Sequence, residues 1–569
     1  MILLGIFGAA AFAGCTAATR FTPSPFVTDL KPRAVCSGNT ATTRSQWCDF
    51  SISDDPTSTI PDTGVTREYW LELTDVTIAP DGVSRSAMAI NGSIPGPTLI
   101  ADWGDQVIVH VANKLTTSSN GTSIHFHGVW QTGTNENDGV PSITQCPVAP
   151  GDSMTYKWRA TQHGSTWYHS HFALQAWEGV FGGIIINGPA TANYDEDLGM
   201  LFLNDWDHQT VDELWLQAES VGPPTLDNGL INGTNTYQDG GHRYNTTFTA
   251  GKTYRIRLVN AAVDTHFKFM IDNHTMSVIG SDLVPLTPYT TDIVSIGMGQ
   301  RHDLIFTANQ QDVADKFWMR AIPQSACSDN ANRDDIRGIV YYGTASSGDP
   351  TTSAYDFEDA CTDETPNLVP FNSKTVGSSP SLTADEPVAV GFNAANMFRW
   401  TLNSTSMIVE WGNPTLLQIA TGNDSSFVAS NAVVQLPTAD EWAYVVISTT
   451  LSVPHPVHLH GHDFFVLAQG TGTYSADAVS LQTENPPRRD TAMLPASGYL
   501  VLAFQADNPG AWLMHCHIGW HTSEGFALQW VERMGEIGNI TNKEALASNC
   551  VSWNEHSDAV ALVQEDSGV

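Results

Sequence analysis

The most informative stretch of this 569-residue chain reads His515-Cys516-His517-Ile518-Gly519-Trp520-His521. Successive side chains of an extended segment point to opposite faces, so His515 and His517 share one face and Cys516 takes the other. A soft thiolate beside imidazoles suits a redox copper, whereas sites made of imidazoles alone suit copper, zinc or iron. The stretch therefore predicts a short covalent bridge between an electron-accepting metal and a second metal site. Taken alone, it also fits a satisfied core segment or part of a zinc site.

Three further histidine clusters favour the metal interpretation. Each contains His-x-His, the spacing that puts two imidazoles on one face of a strand, and clusters of this kind mark metal or catalytic sites. They are His125-Phe126-His127-Gly128, His169-Ser170-His171 and His455-Pro456-Val457-His458-Leu459-His460-Gly461-His462. His-x-His-Gly precedes plain His-x-His in each half of the chain, which predicts two related domains that supply facing pairs of ligands. We therefore expect a metal site at a domain interface.

In their order, the four clusters resemble the copper-binding signatures of the multicopper oxidases, and specifically those of ascomycete-type laccases. The resemblance runs from about residue 65 to the last residue. It implies four copper ions: one of type 1, one of type 2 and a type 3 pair. Cys516, His455 and His521 would bind the type 1 ion, and His125 and His458 the type 2 ion. The type 3 ligands would be His127, His169, His171, His460, His515 and His517, whereas His462 matches a family position that is not a ligand.

Strand patterns dominate the chain and predict an all-β protein. Runs such as 106–111 and 253–258 are rich in β-branched and aromatic residues and are bounded by turn residues, while long helical periodicity is scarce. A chain of 569 residues also exceeds one ordinary core. The resemblance implies three cupredoxin-like Greek-key β-sandwich domains. The predicted segments before the domains are a signal peptide at 1–20 and an N-terminal arm at 21–64. The first cupredoxin domain would span 65–190, and the second, without copper ligands, 191–370. The third would span 371–569 and contain the type 1 site and a C-terminal plug.

Composition favours a secreted protein. The 25 basic and 60 acidic residues give a net charge of −35, which argues against nucleic acid and anionic membranes as partners. Residues 2–13 resemble the apolar part of a signal peptide, although no basic residue precedes Arg20, and residues 12–15 also resemble a bacterial lipidation box. Glycosylation sequons favour a eukaryotic secretory route; they begin at Asn91, Asn120, Asn232, Asn245, Asn273, Asn403, Asn423 and Asn539. We predict an extracellular monomer.

Cysteine arithmetic fits an oxidising compartment. The chain has eight cysteines, and six remain after Cys15 is assigned to the leader and Cys516 to copper. Six cysteines allow 15 disulfide connectivities. The resemblance implies one of them: Cys36 with Cys48, Cys146 with Cys550, and Cys327 with Cys361.

Three residues beyond the ligands, and one of the ligands, carry further predicted roles through the resemblance. Phe526 falls at the axial position of the type 1 copper, where a phenyl group cannot coordinate, so the potential should be high. Asp138 matches an acid near the trinuclear cluster and is a candidate proton donor. Asp264 matches a carboxylate that contacts phenols; with a pKa near 4 it could accept the phenol proton and suit an acidic optimum. His521 is the expected electron entry point.

The implied function is one-electron oxidation of phenols and aromatic amines, coupled to reduction of dioxygen to water by four stored electrons. A metal-ion oxidase is the nearest alternative, but it needs several acids around the type 1 histidines, and Asp264 alone does not establish them. Nitrite reduction is disfavoured because two neighbouring His-x-His pairs would have no role. A copper carrier needs only the Cys516, His455 and His521 centre, and a structural glycoprotein would need all four clusters to be accidental. The last four residues, 566–569, resemble the plug that enters the trinuclear channel in ascomycete laccases.

Overall fold

The computed structural model describes residues 36–116, 120–345, 347–379, 382–422 and 427–569. The predicted signal peptide and residues 21–35 of the predicted arm lie outside these ranges. Within them the fold is all-β, and three cupredoxin-like β-sandwiches follow one another along the chain. The domain boundaries themselves stay predictions.

The first sandwich pairs two four-stranded sheets; Thr66–Ile78 and Gln106–Asn113 alternate between buried and less buried side chains, whereas Gly164–His169 is buried throughout. One sheet contains Thr66–Ile78, Arg85–Ile90, Gln106–Asn113 and Ser153–Arg159. The other contains Gly96–Asp102, His125–Phe126, Gly164–His169 and Phe181–Asn187. A hairpin of Gln46–Trp47 and Phe50–Ser51 precedes them.

The second and third sandwiches each pair a six-stranded with a five-stranded sheet. In the second, the larger sheet contains Glu196–Trp206, Asn228–Ile231, Thr253–Asn260, Met276–Ser281, Val284–Thr291 and Arg301–Thr307. Its smaller sheet contains Asn245–Phe248, Phe267–Ile271, Val294–Ile296, Lys316–Pro323 and Arg337–Tyr342. A short hairpin is formed by Thr236–Tyr237 and Gly240–Gly241. In the third, the larger sheet contains Ala384–Phe392, Phe398–Leu402, Trp442–Thr449, Phe464–Thr471, Arg488–Arg489 and Gly498–Gln505, and the smaller contains Val433–Leu436, His455–Leu459, Thr491–Leu494, Gly510–Cys516 and Ala527–Glu532.

Helices are short, with one exception that the sequence pattern did not reveal. The α-helices are Val211–Ser220, Thr415–Ala420, Gly519–Ser523, Met534–Ile540 and Lys543–Val560, and the 3-10 turns are Asn135–Asn137, Gln175–Glu178, Thr365–Asn367 and Ala429–Asn431. The 18-residue last helix buries only Leu546, Cys550 and Trp553, so its apolar stripe is narrow and gives a weak periodic pattern. No helix in the described part of the chain combines the length and the apolar character needed to cross a membrane.

The three predicted disulfides are confirmed. Cys36 pairs with Cys48, Cys327 with Cys361, and Cys146 with Cys550, the last pair joining residues 404 apart in sequence. The third bond ties the first sandwich to the last helix. Cys516 is the one free cysteine among the described residues, and it is buried.

Candidate metal centres

Strand pairing brings the four histidine clusters together. In the first sandwich His125 lies opposite His169, and in the third His458 lies opposite His515 while Val457 lies opposite Cys516. The imidazoles of the two sandwiches then face each other: the rings of His127 and His458 stack at 3.8 Å between centroids. The predicted interface site therefore contains four histidines from each of two sandwiches.

Donor atoms in this cluster gather in threes. The ligand atoms of His127, His169 and His517 lie within 4.8 Å of one another, as do those of His171, His460 and His515. The two histidines that remain, His125 and His458, form a third group with His127. All eight are buried. The arrangement offers two three-imidazole sites and one two-imidazole site.

Hydrogen bonds select which ring nitrogen can bind a metal. The Nδ1 atoms of His169, His458 and His515 contact backbone carbonyls at 2.8–2.9 Å, so each Nδ1 carries the proton and each Nε2 keeps its lone pair. The Nε2 atoms of His125, His169 and His458 and both nitrogens of His517 are buried without a hydrogen-bond partner among the described residues. Buried polar atoms rarely stay unpaired, and these orphans fit bound metal ions.

His127 offers the opposite ring nitrogen to the cluster. Its Nε2 lies 3.2 Å from the Asp490 carboxylate, which leaves Nδ1 as the orphaned nitrogen. Asp490 is held in turn by Arg301 from the second sandwich, with two contacts of 2.6 and 2.7 Å. Gly128 has φ +75°, and a Cβ there would collide with both members of this ion pair. The glycine of the first His-x-His-Gly is thus needed for the close approach of a charged pair.

Burial favours the neutral form of His127, His169, His460 and His515. It lowers the pKa of His515 to about 3 and the pKa of His127, His169 and His460 well below the usual value, with neighbouring imidazoles lowering each of these further. Neutral imidazole is the form that binds metals. The cluster is therefore ready to coordinate cations.

Asp138 bridges two of the imidazoles. Its Oδ2 lies 2.9 Å from Nδ1 of His460, and its Oδ1 lies 3.2 Å from Nδ1 of His125. The segment 135–138 forms a 3-10 turn in which the Asp138 backbone N–H donates to the carbonyl of Asn135, so the turn fixes the carboxylate. Asp138 thereby directs both Nε2 atoms into the cluster: its carboxylate holds His460, and its backbone carbonyl holds Nδ1 of His125 at 2.8 Å.

A separate centre forms around Cys516. Its Sγ lies 3.8 Å from Nδ1 of His455 and 3.6 Å from Nδ1 of His521, and those two nitrogens are 3.2 Å apart. One thiol and two imidazoles match the ligand set of a blue copper site. Burial raises the pKa of the Cys516 thiol well above its usual value, so a metal must displace a proton when it binds there.

Phe526 closes one side of this centre. Its ring centroid is 5.0 Å from that of His455, and the residue is 1% exposed. The carbonyl of Phe526 accepts from the Cys516 backbone N–H, and its own N–H donates to the carbonyl of His521. The phenyl ring offers no donor atom, and the backbone bonds hold it against the ligands.

Trp400 and Glu524 line the same centre and were not found from the sequence. The Trp400 ring lies 4.2 Å from that of His521, and its Nε1 donates to Glu524 Oε2 at 2.8 Å. Burial raises the pKa of Glu524 to about 8. Trp400 belongs to no local motif, so only tertiary structure brings it to the site, whereas Glu524 lies three residues after His521 and its place in the sequence could have marked it.

Asp264 lies in a loop against the His521 segment. The carbonyl of its neighbour Val263 accepts from the backbone N–H of Gly519 at 3.0 Å. Burial, together with the nearby charge of Asp205, raises the pKa of Asp264 to about 8. The expected value near 4 is wrong for this closed structure because the carboxyl is only 8% exposed.

The last residues lie beside the imidazole cluster. Ser567 donates through its N–H to the carbonyl of Ser523 and Ser142 donates to the carbonyl of Gly568, at 2.9 and 2.7 Å. Val569 is 2% exposed and borders a cavity of about 20 Å³ shared with His171 and His517. That space suits one water-sized molecule.

Known proteins share this architecture. Multicopper oxidase family models match residues 72–191, 197–344 and 408–536. The chain belongs to the multicopper oxidase family.

Among its relatives are fungal laccases. Laccase-2 of Botryotinia fuckeliana is 46% identical over 565 residues, which cover 96% of each chain, and Laccase-1 of the same fungus is 47% identical over 95% of each. The crystal structure of a laccase from Botrytis aclada aligns with a TM-score of 0.89 at 46% identity, covering 93% of this chain and 99% of that one. Fet3p, a multicopper oxidase that functions in iron import, aligns with a TM-score of 0.78 at 27% identity, over 89% and 97%.

Proposed function

We propose that this chain is a laccase that oxidises phenols and aromatic amines one electron at a time and reduces dioxygen to water. The observation that carries the proposal is the position of Cys516, which belongs to a one-thiol, two-imidazole centre while its neighbours His515 and His517 belong to the imidazole cluster. Copper supplies one-electron redox chemistry at the first centre and four-electron storage together with the second. The laccase relatives support the same activity.

The ligand sets follow from the donor geometry. Cys516, His455 and His521 would hold the type 1 ion, and His125 and His458 the type 2 ion. The two type 3 ions would take one three-imidazole group each, with His127 binding through Nδ1 because Asp490 occupies its Nε2. Phe526 would leave the axial position of the type 1 ion without a donor.

We assign a task to each residue around these sets. His521, backed by the Trp400 ring, would receive the electron from the donor. Cys516 would pass it through its own backbone, whose carbonyl contacts Nδ1 of His515 at 2.8 Å. Asp138 would deliver protons to the cluster, and Asp264 in its ionised form would take the proton that a phenol loses with its electron.

A metal-ion oxidase is less well supported than a phenol oxidase. Such an enzyme needs ionised carboxylates near the type 1 histidines to bind a cation. Among the described residues, the acids that act electrostatically on Cys516 are Asp264 and Glu524, and Oε2 of Glu524 already accepts from Nε1 of Trp400 at 2.8 Å. Asp264 alone does not make the group of carboxylates that such an enzyme needs.

We also propose that the protein is a secreted monomer, with domains that span 65–190, 191–370 and 371–569. Three disulfides favour an oxidising compartment, and the net charge of −35 favours a freely diffusing protein. The position of Val569 beside the imidazoles favours a plug at the entrance to the cluster.

Oxygen uptake with a simple methoxyphenol tests the function. Copper-loaded wild-type protein should consume dioxygen without releasing peroxide and should show a blue thiolate absorption band. Cys516→Ser should lose the band and the uptake together. A blue protein without phenol-dependent uptake would indicate a metal-ion oxidase or a carrier, and a colourless protein with verified copper content would exclude the type 1 assignment.

A further inference from the structure

A second cavity lies away from the Cys516 centre. It measures about 630 Å³ and is bordered by residues of the first and third sandwiches and by residues 56–60. Three aromatic residues, Trp130, Trp442 and Phe465, contribute to its wall. Arg159, Lys374 and Arg488 add positive charge. Cavities of this size with an apolar wall and a few polar groups are typical of small-molecule sites.

Arg488 is the most unusual member of this wall. It lies opposite Phe465 on the neighbouring strand, and its side chain is only 5% exposed. Its Nε and Nη1 atoms are buried without a hydrogen-bond partner among the described residues. A buried donor left unpaired costs about 1–3 kcal/mol, and more when the group is charged. Nε and Nη1 are therefore shut off from the cavity as well as from partners, and Nη2 is the guanidinium nitrogen left to face it.

The acids of the cavity do not satisfy these donors. Asp463 comes no closer than 3.7 Å to Nε of Arg488, and its Oδ1 already accepts from Nε1 of Trp130 at 2.9 Å. Asp507 has a side chain that is 58% exposed, which places it at the rim. Lys374 is already paired with Asp55 at 3.2 Å.

We propose that this cavity binds an aromatic carboxylate. The carboxylate would accept from Nη2 of Arg488, a charge-assisted hydrogen bond. The aromatic ring would lie against Trp442 and Phe465, whose own rings are 5.5 Å apart. No residue of the Cys516 centre borders the cavity, so such a ligand occupies a site separate from phenol oxidation. His462 also borders it, but its Nε2 is engaged with Glu532 at 3.0 Å.

Titration calorimetry of the copper-loaded protein with benzoate tests the proposal, because benzoate lacks the phenolic hydroxyl that the enzyme oxidises. Benzoate should bind at one site, and benzamide, which has the same ring without the charge, should bind at least tenfold more weakly. Sulfate separates a general anion site from an aromatic one, and we expect it to bind more weakly than benzoate.

Variants make the test specific. Arg488→Met should weaken benzoate binding at least tenfold, while Arg333→Met in the second sandwich should leave it unchanged. Asp507→Asn removes a rim charge that repels the ligand and should tighten binding about twofold, an effect that a damaged fold cannot produce. If Arg488→Met fails to fold, the other two variants decide: Lys374→Met should weaken benzoate binding, and Asp507→Asn should tighten it.

Crystals soaked in 4-bromobenzoate locate the ligand. An anomalous bromine peak beside Trp442 and Phe465 would agree with the proposal. A peak only at the Cys516 centre or the imidazole cluster would overturn it, and so would equal affinity for benzoate and benzamide or unchanged binding in both Arg488→Met and Lys374→Met.

Discussion

Replacing Asp138 with asparagine tests the proton-delivery and positioning role of that carboxylate. In the wild-type structure its Oδ2 accepts from Nδ1 of His460 at 2.9 Å, whereas Nδ1 of His125 donates to the backbone carbonyl of Asp138 at 2.8 Å and lies 3.2 Å from Oδ1. An asparagine side chain can still offer one oxygen to His460, but it carries no negative charge. Its NH₂ group would then face the N–H of His125, so the substitution replaces an attractive neighbour of that imidazole with a repulsive one.

The size of the effect follows from the lost charge. A hydrogen bond to a charged group is worth about 1.5–3 kcal/mol and a neutral one about 0.5–1.5 kcal/mol, so the change costs about 1 kcal/mol or more, which is roughly fivefold or more in an equilibrium or a rate. Loss of an outer partner of a metal-bound histidine typically costs about 10- to 100-fold. We therefore expect Asp138→Asn to lower kcat for oxygen uptake by about 10- to 100-fold.

The assay combines steady-state oxygen uptake with copper content and the visible spectrum. The blue band should persist, because none of the Cys516, His455 and His521 donors contacts Asp138. Asp272→Asn is a matched control, since it removes another fully buried aspartate, one that pairs with Arg320 in the second sandwich. Wild-type kcat in Asp138→Asn, measured at full copper occupancy, would refute the assigned role.

Three further changes have defined outcomes. Because burial raises the pKa of Asp264 to about 8, the ionised fraction of this carboxyl grows as the pH rises towards 8. We therefore expect kcat/KM for a methoxyphenol to rise over that range in wild type and to lose this slope in Asp264→Asn. Ferrocyanide donates an electron without a proton, so a parallel rise with ferrocyanide would contradict the reasoning. Phe526→Met supplies an axial sulfur and should lower the type 1 potential in a redox titration, so an unchanged potential would exclude the axial placement. Removing the Cys146–Cys550 disulfide, which closes a separation of 404 residues, should lower the free energy of unfolding by about 3 kcal/mol more than removing the N-terminal disulfide with its separation of 12. Denaturant titration monitored by fluorescence measures both losses, and equal losses would disagree with the chain-entropy argument.

The sequence was sufficient for the fold class and for the residues that meet at the two centres. Period-two spacing within each His-x-His and the order of the four clusters are local properties, so they can be read without a structure. Arg301 could not be found in this way, because it comes from the sandwich that has no His-x-His and reaches the site through Asp490.

The electrostatic properties of the site could not be predicted from the sequence either. Asp264 is in sequence an ordinary loop carboxylate, and its raised pKa results from burial and from Asp205, which lies 59 residues earlier. The orientation of His127 likewise depends on a carboxylate more than 360 residues away. Such properties depend on contacts between distant segments rather than on residue type.

The division of eight imidazoles between the first and third sandwiches has a thermodynamic consequence. Ions that bind only where both sandwiches meet stabilise the docked arrangement by linkage, so copper occupancy and domain association must rise and fall together. A chelator should then weaken the interface before it melts either sandwich. The Cys146–Cys550 bond keeps the first sandwich tied to the last helix in that state. The two halves of the imidazole cluster then stay at a high effective concentration, so the metal-free protein can bind copper again without a bimolecular association step.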